Sequence, residues 1–296
     1  MSEPSPSSSR PIQHVSDTAF MVAHHRAVES ARPDALFVDS LAALLAGERG
    51  AAITRGLPMQ PMVGWSVAIR TRIIDQYIAD AVAAGCDTVV NLGAGLDTRP
   101  YRLSLPPSLR WIEVDYPALI TFKDQRLAGQ IPRCRLLRVG LDLAQRPQRQ
   151  TLLQKLDGES ARLLILTEGV VPYLDNAAVG ALADDLRAMP HAAGWIVDYF
   201  SPDSVAYRKR SGADRAMAAA PFKFNPPDWF AFFAQHSWQS REVRYLPVEG
   251  ARLGRRPPLP WGMRTIMKLL RPFAPTDKRE RFARFAGCVF LVPTPR

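Results

Sequence analysis

VVNLGAGLDTR, residues 89–99, decides the fold. An apolar run of strand character over 88–92 breaks on Gly93-Ala94-Gly95 and continues into Asp97. In an open α/β sheet a ligand sits at the carboxyl ends of the strands, and glycines at the first exit let the backbone approach it closely. The turn therefore reads as the seat of a nucleotide-like cofactor, with Gly93, Ala94, Gly95 and Asp97 as contacts. A second apolar run, 111–114, brings Glu113 and Asp115 to 20 and 22 residues past Gly93, the spacing at which an acid holds a ribose hydroxyl. Thr98 stands where a dinucleotide fingerprint would have its third glycine, which counts against NAD.

Further apolar runs at 135–139, 163–167 and 195–200 continue the pattern at the spacing of β-α units. Uninterrupted apolar strands imply a sheet covered on both faces, so the fold class is α/β, a doubly wound parallel sheet. A later run, 287–292, reads as another strand, with 242–246 as a possible partner. Between the fourth and fifth runs Asp175 or Asn176 caps a helix whose buried stripe is Val179, Leu182, Leu186 and Met189. Before the first strand, two helices fit 16–47, interrupted at Pro33, and a third fits 67–84, ended by Gly85.

Residues 1–15 are Ser/Pro-rich and read as a disordered tail, leaving 16–296 as a single domain. Within it, 201–274 is rich in proline and aromatic residues and reads as a lid-like insertion on the substrate side. The plainer alternative is that Trp229, Phe232 and Phe233 form the buried face of an ordinary helix begun by Pro227 and Asp228.

Two more strand exits point into the same cleft. Asp142 is placed to accept from an adenine amino group with Leu143 beside the ring, unless it is simply a turn acid. Glu168 is placed for a cofactor ammonium group, or else is a carboxylate paired to an arginine. A net charge of +10 attracts anions of any kind, but the basic residues are dispersed and form no nucleic-acid arm. No apolar run reaches the roughly 18 residues of a membrane span, and no secretory signal opens the chain, so a cytoplasmic protein is expected. The three cysteines and five histidines show no ligand spacing, and no metal site is expected.

VVNLGAGLDTRPYRL, WIEVDYPALITFK, VGLDL and LTEGVVPYL, in this order, resemble the leucine carboxyl methyltransferase family, especially its bacterial branch. SDTAFMVAHHRAVES, FVDSLAALL and IRTRIIDQYI, earlier in the chain, resemble it too. The resemblance implies a seven-stranded, Rossmann-like methyltransferase sheet with a reversed last strand, here GCVFLVP, and S-adenosyl-L-methionine as cofactor. It places Gly93 in the cofactor turn, Asp115 at the ribose, Asp142 and Leu143 at the adenine, and Glu168 beside the methionine part. It also implies an arginine for the cofactor carboxylate, a role open to Arg70 and Arg72, with Arg26 a weaker match to a basic contact. The eukaryotic members methylate a C-terminal leucine; the bacterial form of the motifs leaves the acceptor open.

With no Ser/His/Asp set or nucleophile elbow visible, the expected reaction is O-methylation of the carboxylate of a small, anionic acid, which needs no general base. Tyr173 and Tyr199 are candidates at strand exits. If the acceptor is instead a hydroxyl of a secondary metabolite, His24 or His25 is the candidate base. The readings from other classes are a nicotinamide-dependent oxidoreductase and an RNA-binding protein.

Overall fold

The structure, a computed structural model, describes residues 12, 14–210, 217–259, 262 and 276–295. Among these lie the strands β1 (Thr88–Leu92), β2 (Arg110–Asp115), β3 (Arg135–Gly140), β4 (Leu163–Thr167), β5 (Ala192–Phe200), β6 (Trp238–Tyr245) and β7 (Ala286–Pro293). They make one seven-stranded sheet in the order β3-β2-β1-β4-β5-β7-β6. β1 to β5 are parallel, β7 runs antiparallel to β5, and β6 antiparallel to β7. The reversed strand implied by the resemblance is β7, and the run around 242–246 is its partner β6.

Helices α1 (Asp17–Ser30), α2 (Ala42–Arg55) and α3 (Gln60–Ala83) precede the sheet. The parallel strands are joined through α4 (Arg99–Arg102), α5 (Pro117–Arg126), α6 (Arg146–Gly158) and α7 (Asn176–Arg187). After β5 come α8 (Pro202–Arg210) and α9 (Trp229–Gln235), and after β6 come α10 (Leu246–Arg252) and α11 (Thr276–Ala283).

Strand alternation distributes β1 between two cores: Val90 and Leu92 pack with α6 and α7, whereas Val89 packs with α3. α3 stops at Gly85, which takes φ +92°, while Cys86 N–H reaches back to Ala81 O at 3.0 Å and Gly85 N–H to Val82 O at 3.0 Å. This paired closure needs a residue free to adopt the left-handed region, hence glycine. At its other end α3 begins at Gln60, earlier than the 67–84 of the periodicity, because its opening turns face a cavity and carry no core stripe. Asp175 is the residue that caps α7, accepting Ala178 N–H at 2.8 Å.

The described residues of 201–274 divide between the core and the cavity wall. Trp229 and Phe233 are buried in the core with Trp195, whose ring they or their neighbours flank edge-on, and β6 closes the sheet. Residues 202–208 and 217–223 instead contribute to the cavity wall. Of the tail, Ile12 is fully buried and His14 lies edge-on to Tyr116. Residues 1–11, 13, 211–216 and most of 260–275 lie outside the described residues.

β2 carries Glu113 fully buried under α5, ion-paired to Lys123 at 2.8 Å and to Arg138 at 2.8 Å. Removing one partner of such a pair strands a charge away from water. Glu113→Gln, which leaves the fully buried Lys123 without this partner, should lower unfolding stability by about 3 kcal/mol in urea titrations, and adding Lys123→Met should recover more than half of that loss.

Candidate active site

One cavity of about 610 Å³ lies over the carboxyl ends of the parallel strands, roofed by α1 and the first turns of α3. At its floor the β1 exit turns sharply, with φ +71° at Gly93 and +51° at Gly95. A Cβ on Gly93 would stand 2.2 Å from Val170 Cγ2, so the position is closed to side chains on steric as well as dihedral grounds. The N–H groups of Gly93 and Ala94 donate to Val114 O at 2.7 and 3.1 Å, and that of Gly95 to Asp115 Oδ2 at 2.6 Å. The three amides bind the turn to the end of β2, so they are not free to cradle a ligand.

Asp115, Asp142, Leu143 and Glu168 all line this cavity, at the exits of β2, β3 and β4. Burial pushes the Asp115 carboxyl above its ordinary range against the pull of the Gly95 and Tyr116 N–H donors. Asp142 Oδ1 accepts Ala144 N–H at 2.9 Å, so it is also a turn acid. Glu168 both faces the cavity and is paired, to Arg70 at 2.9 Å and to Arg99 at 2.8 Å. Burial raises its carboxyl, but Arg99 and Arg70 outweigh that and hold it below the ordinary range.

Asp97 is held by Arg99 at 2.8 Å and by Asn91 Nδ2 at 2.9 Å. Burial opposes its charge, yet Arg99 with the surrounding cations keeps the carboxyl well below the usual range. Arg99 Nε meets Asp75 Oδ1 at 2.7 Å, and Arg102 grips the same carboxylate at 2.6 and 2.8 Å. Arg26 lines the cavity as well, its guanidinium spanning Asp39 at 2.9 Å and Leu96 O at 2.5 Å.

Arg70 and Arg72 are separated by geometry. Arg70 faces the cavity, while Arg72, about 200° further round the helix, donates to Gln76 Oε1 at 3.2 Å. Glu113 sits two residues inside the strand exit beneath α5 and does not border the cavity. Tyr199 is also misplaced by the sequence reading. Strand alternation sends Phe200 to the cavity and Tyr199 to the opposite core, against Trp229, Phe230 and Tyr245. Tyr173, in a single turn after β4, does line the cavity.

Neither His24 nor His25 borders the cavity. The cavity-facing stripe of α1 runs through Thr18, Val22 and Arg26, and His25 is turned toward Gly64 of α3. Burial, with His24 beside it, lowers the His25 imidazole to about 4. Unnoticed in the sequence were His14 and Tyr116 beside Asp115, Trp65 on α3, and the buried pair Asp75 and Arg99. Tyr116 directly follows a singled-out acid and was open to discovery; the others carry no local pattern.

A parallel sheet ending in an antiparallel pair, with a glycine turn and an acid at adjacent exits, defines the class of S-adenosyl-L-methionine-dependent methyltransferases. A family model described as leucine carboxyl methyltransferase matches residues 19–187, and the chain belongs to that family. A protein of Mycolicibacterium paratuberculosis, provisionally named an S-adenosyl-L-methionine-dependent methyltransferase, is 32% identical over 82% of this chain and 85% of its own. One of the same name from Mycobacterium bovis is 30% identical over 83% and 86%. The crystal structure of a provisionally named methyltransferase from Thermobifida fusca shares the fold over the whole of both chains, with a TM-score of 0.58 at 12% identity. A DUF574 family protein from Streptomyces avermitilis does so over 94% and 97%, at 0.56 and 15%.

Gly93→Ala should abolish measurable calorimetric binding of S-adenosyl-L-methionine and lower stability by about 1–2 kcal/mol, through its left-handed dihedral and the Val170 clash. For His25 the folded value lies below the unfolded one, so its stabilisation is present above pH 6.5 and is lost as pH falls toward 4. His25→Leu should flatten the stability curve between those limits in denaturant titrations stepped through pH.

Proposed function

We propose that the protein transfers the cofactor methyl group to a carboxylate oxygen of a small, anionic acid. When bound, S-adenosyl-L-methionine supplies an electrophilic sulfonium methyl. The sheet order, β3-β2-β1-β4-β5, sets a direction along the cavity, from adenine through ribose to the amino-acid end. In this reading Asp142 and Leu143 hold the adenine and Asp115 the sugar hydroxyls. Glu168 takes the ammonium group and Arg70 the carboxylate. Gly93, Ala94, Gly95 and Asp97 shape the floor, with Arg26 fixing the turn through Leu96 O. The fit is supported by Asn91, which borders the cavity with a buried Oδ1 that has no partner among the described residues, an acceptor suited to a cationic ligand.

The acceptor then lies beyond Glu168, toward β5. The observation that carries the carboxylate reading is the chemistry of that wall. It has the basic side chains of Arg208 and Lys223, and among its described residues no histidine. Tyr173 is there too, but burial pushes its hydroxyl further above the ordinary range, so it stays protonated and serves as a donor. The wall's histidine, His14, stands at the opposite end, against Tyr116. A carboxylate is already ionised at neutral pH and needs no base; the chain's work is to position it and to exclude water.

With methyl-labelled cofactor and a metabolite extract, the labelled product should be a base-labile methyl ester. Its kcat/KM should be flat above about pH 5, and a limb near 6.5 would overturn the reading. Arg208→Ala should raise KM for the acid by roughly tenfold or more, from the loss of a charged hydrogen bond, with cofactor affinity unchanged.

A further inference from the structure

Past the strand exits the cavity continues between the first turns of α3, helix α8 and residues 217–223. The wall here is Met59, Met62 and Trp65 from the start of α3, Tyr207 from α8, and Met217 and Phe222. Its composition differs from that of the two cores on the faces of the sheet, though Met21 and Met217 also belong to a third buried cluster, with Phe20, Leu45 and Leu119. Half of the chain's eight methionines, Met21, Met59, Met62 and Met217, border this one cavity. The two cores on the faces of the sheet, built from branched and aromatic side chains, include a single methionine, Met189. Unbranched thioether chains are polarisable and re-pack around apolar shapes, a property suited to a ligand surface more than to a fixed core.

The polar atoms of this wall are engaged with the protein itself. Trp65 Nε1 donates to Arg255 O at 2.8 Å, and Tyr207 Oη donates to Met59 Sδ at 3.6 Å. Met59 holds the left-handed backbone, φ 58°, an uncommon state for a residue with a Cβ. Of these six side chains, what remains facing the space is ring, methylene and thioether. Two cations among the described residues border this region: Lys223, which is exposed, and Arg208, whose guanidinium lies 3.7 Å from the Phe222 ring centre; Phe222 meets Tyr173 edge-on at 5.4 Å.

We propose that this methionine-lined chamber takes the apolar body of a hydrophobic carboxylic acid, whose carboxylate lies toward Arg208 and Tyr173, so that the acceptor is selected by apolar length. The proposal rests on the carboxylate reading above and narrows it to a substrate class. Selection by length follows because each methylene withdrawn from water contributes a similar increment, whereas the Trp65 and Tyr207 donors of this wall are already engaged within the protein.

The test uses the full chain with S-adenosyl-L-methionine and two homologous series of about four to twelve carbons, straight-chain acids and primary alcohols, with methylated product read by mass spectrometry. For the acids kcat/KM should rise about three- to fourfold per added methylene, from about 0.8 kcal/mol each, until the chamber is full. Acids methylated without regard to length would overturn the chamber and leave the carboxylate reading standing. Alcohols methylated with that length dependence, and acids not, would overturn the carboxylate reading instead. A binding measurement covers slow turnover: a fluorescent long-chain acid should bind in the presence of S-adenosylhomocysteine and be displaced by the longer acids, and failure to bind would overturn the chamber. Met62→Gln and Met217→Gln keep the volume and add an amide. Each should weaken that probe at least about fivefold with cofactor affinity unchanged, and unaltered probe affinity in both would count against the proposal.

Discussion

The structure depends on Arg99, a buried guanidinium shared by three carboxylates. Asp75 comes from α3, Asp97 from the turn after β1, and Glu168 from the exit of β4. Each of these charges alone would cost several kcal/mol to bury, so none of the three elements can be placed without the others. The arrangement is a frame fixed before any ligand arrives. A frame of that kind lowers the ordering cost of binding, and Glu168 and Arg70 present themselves from it with their orientations already set.

The turn that begins the site works by shape. Its three successive amides are consumed in holding β1 to β2, and the space they leave suits a flat, weakly charged adenosyl group. A dinucleotide would call for the opposite, free N–H groups aimed at a diphosphate. This gives a structural reason for what Thr98 indicated in the sequence. Charge enters the cavity in sequence along the sheet: acids at β3 and β2, an acid with an arginine at β4, and basic side chains beyond.

The parallel strands were legible because each is an apolar run ending in a turn residue, and their bounds agree with the structure within a few residues. The acids at the exits were legible for the same reason, since a strand end fixes where its last side chain goes. Legibility failed where orientation depends on a partner element. Glu113 and Asp115 share a side of β2, and only the seat of α5 buries one and leaves the other at the cavity. Tyr199 and Phe200 differ by one residue, so the choice between core and cleft needed the register with β7. The histidines of α1 were candidates by type alone, and the turn of that helix against α3 removes them from the cavity. Arg99 and Asp75 lie 24 residues apart in the chain, a pairing that no local spacing announces.

β7 is the last strand in chain order, yet it lies between β5 and β6, joined to both by hydrogen bonds along its length. During synthesis the five parallel strands are therefore complete while the outer edge of β5, apolar and unpaired, still waits for a segment more than 80 residues away. Closing that edge is a long-range event, slow by its nature and exposed to association with other chains in the interval. The nascent protein thus carries its open edge at a stage when most of its interior has already formed.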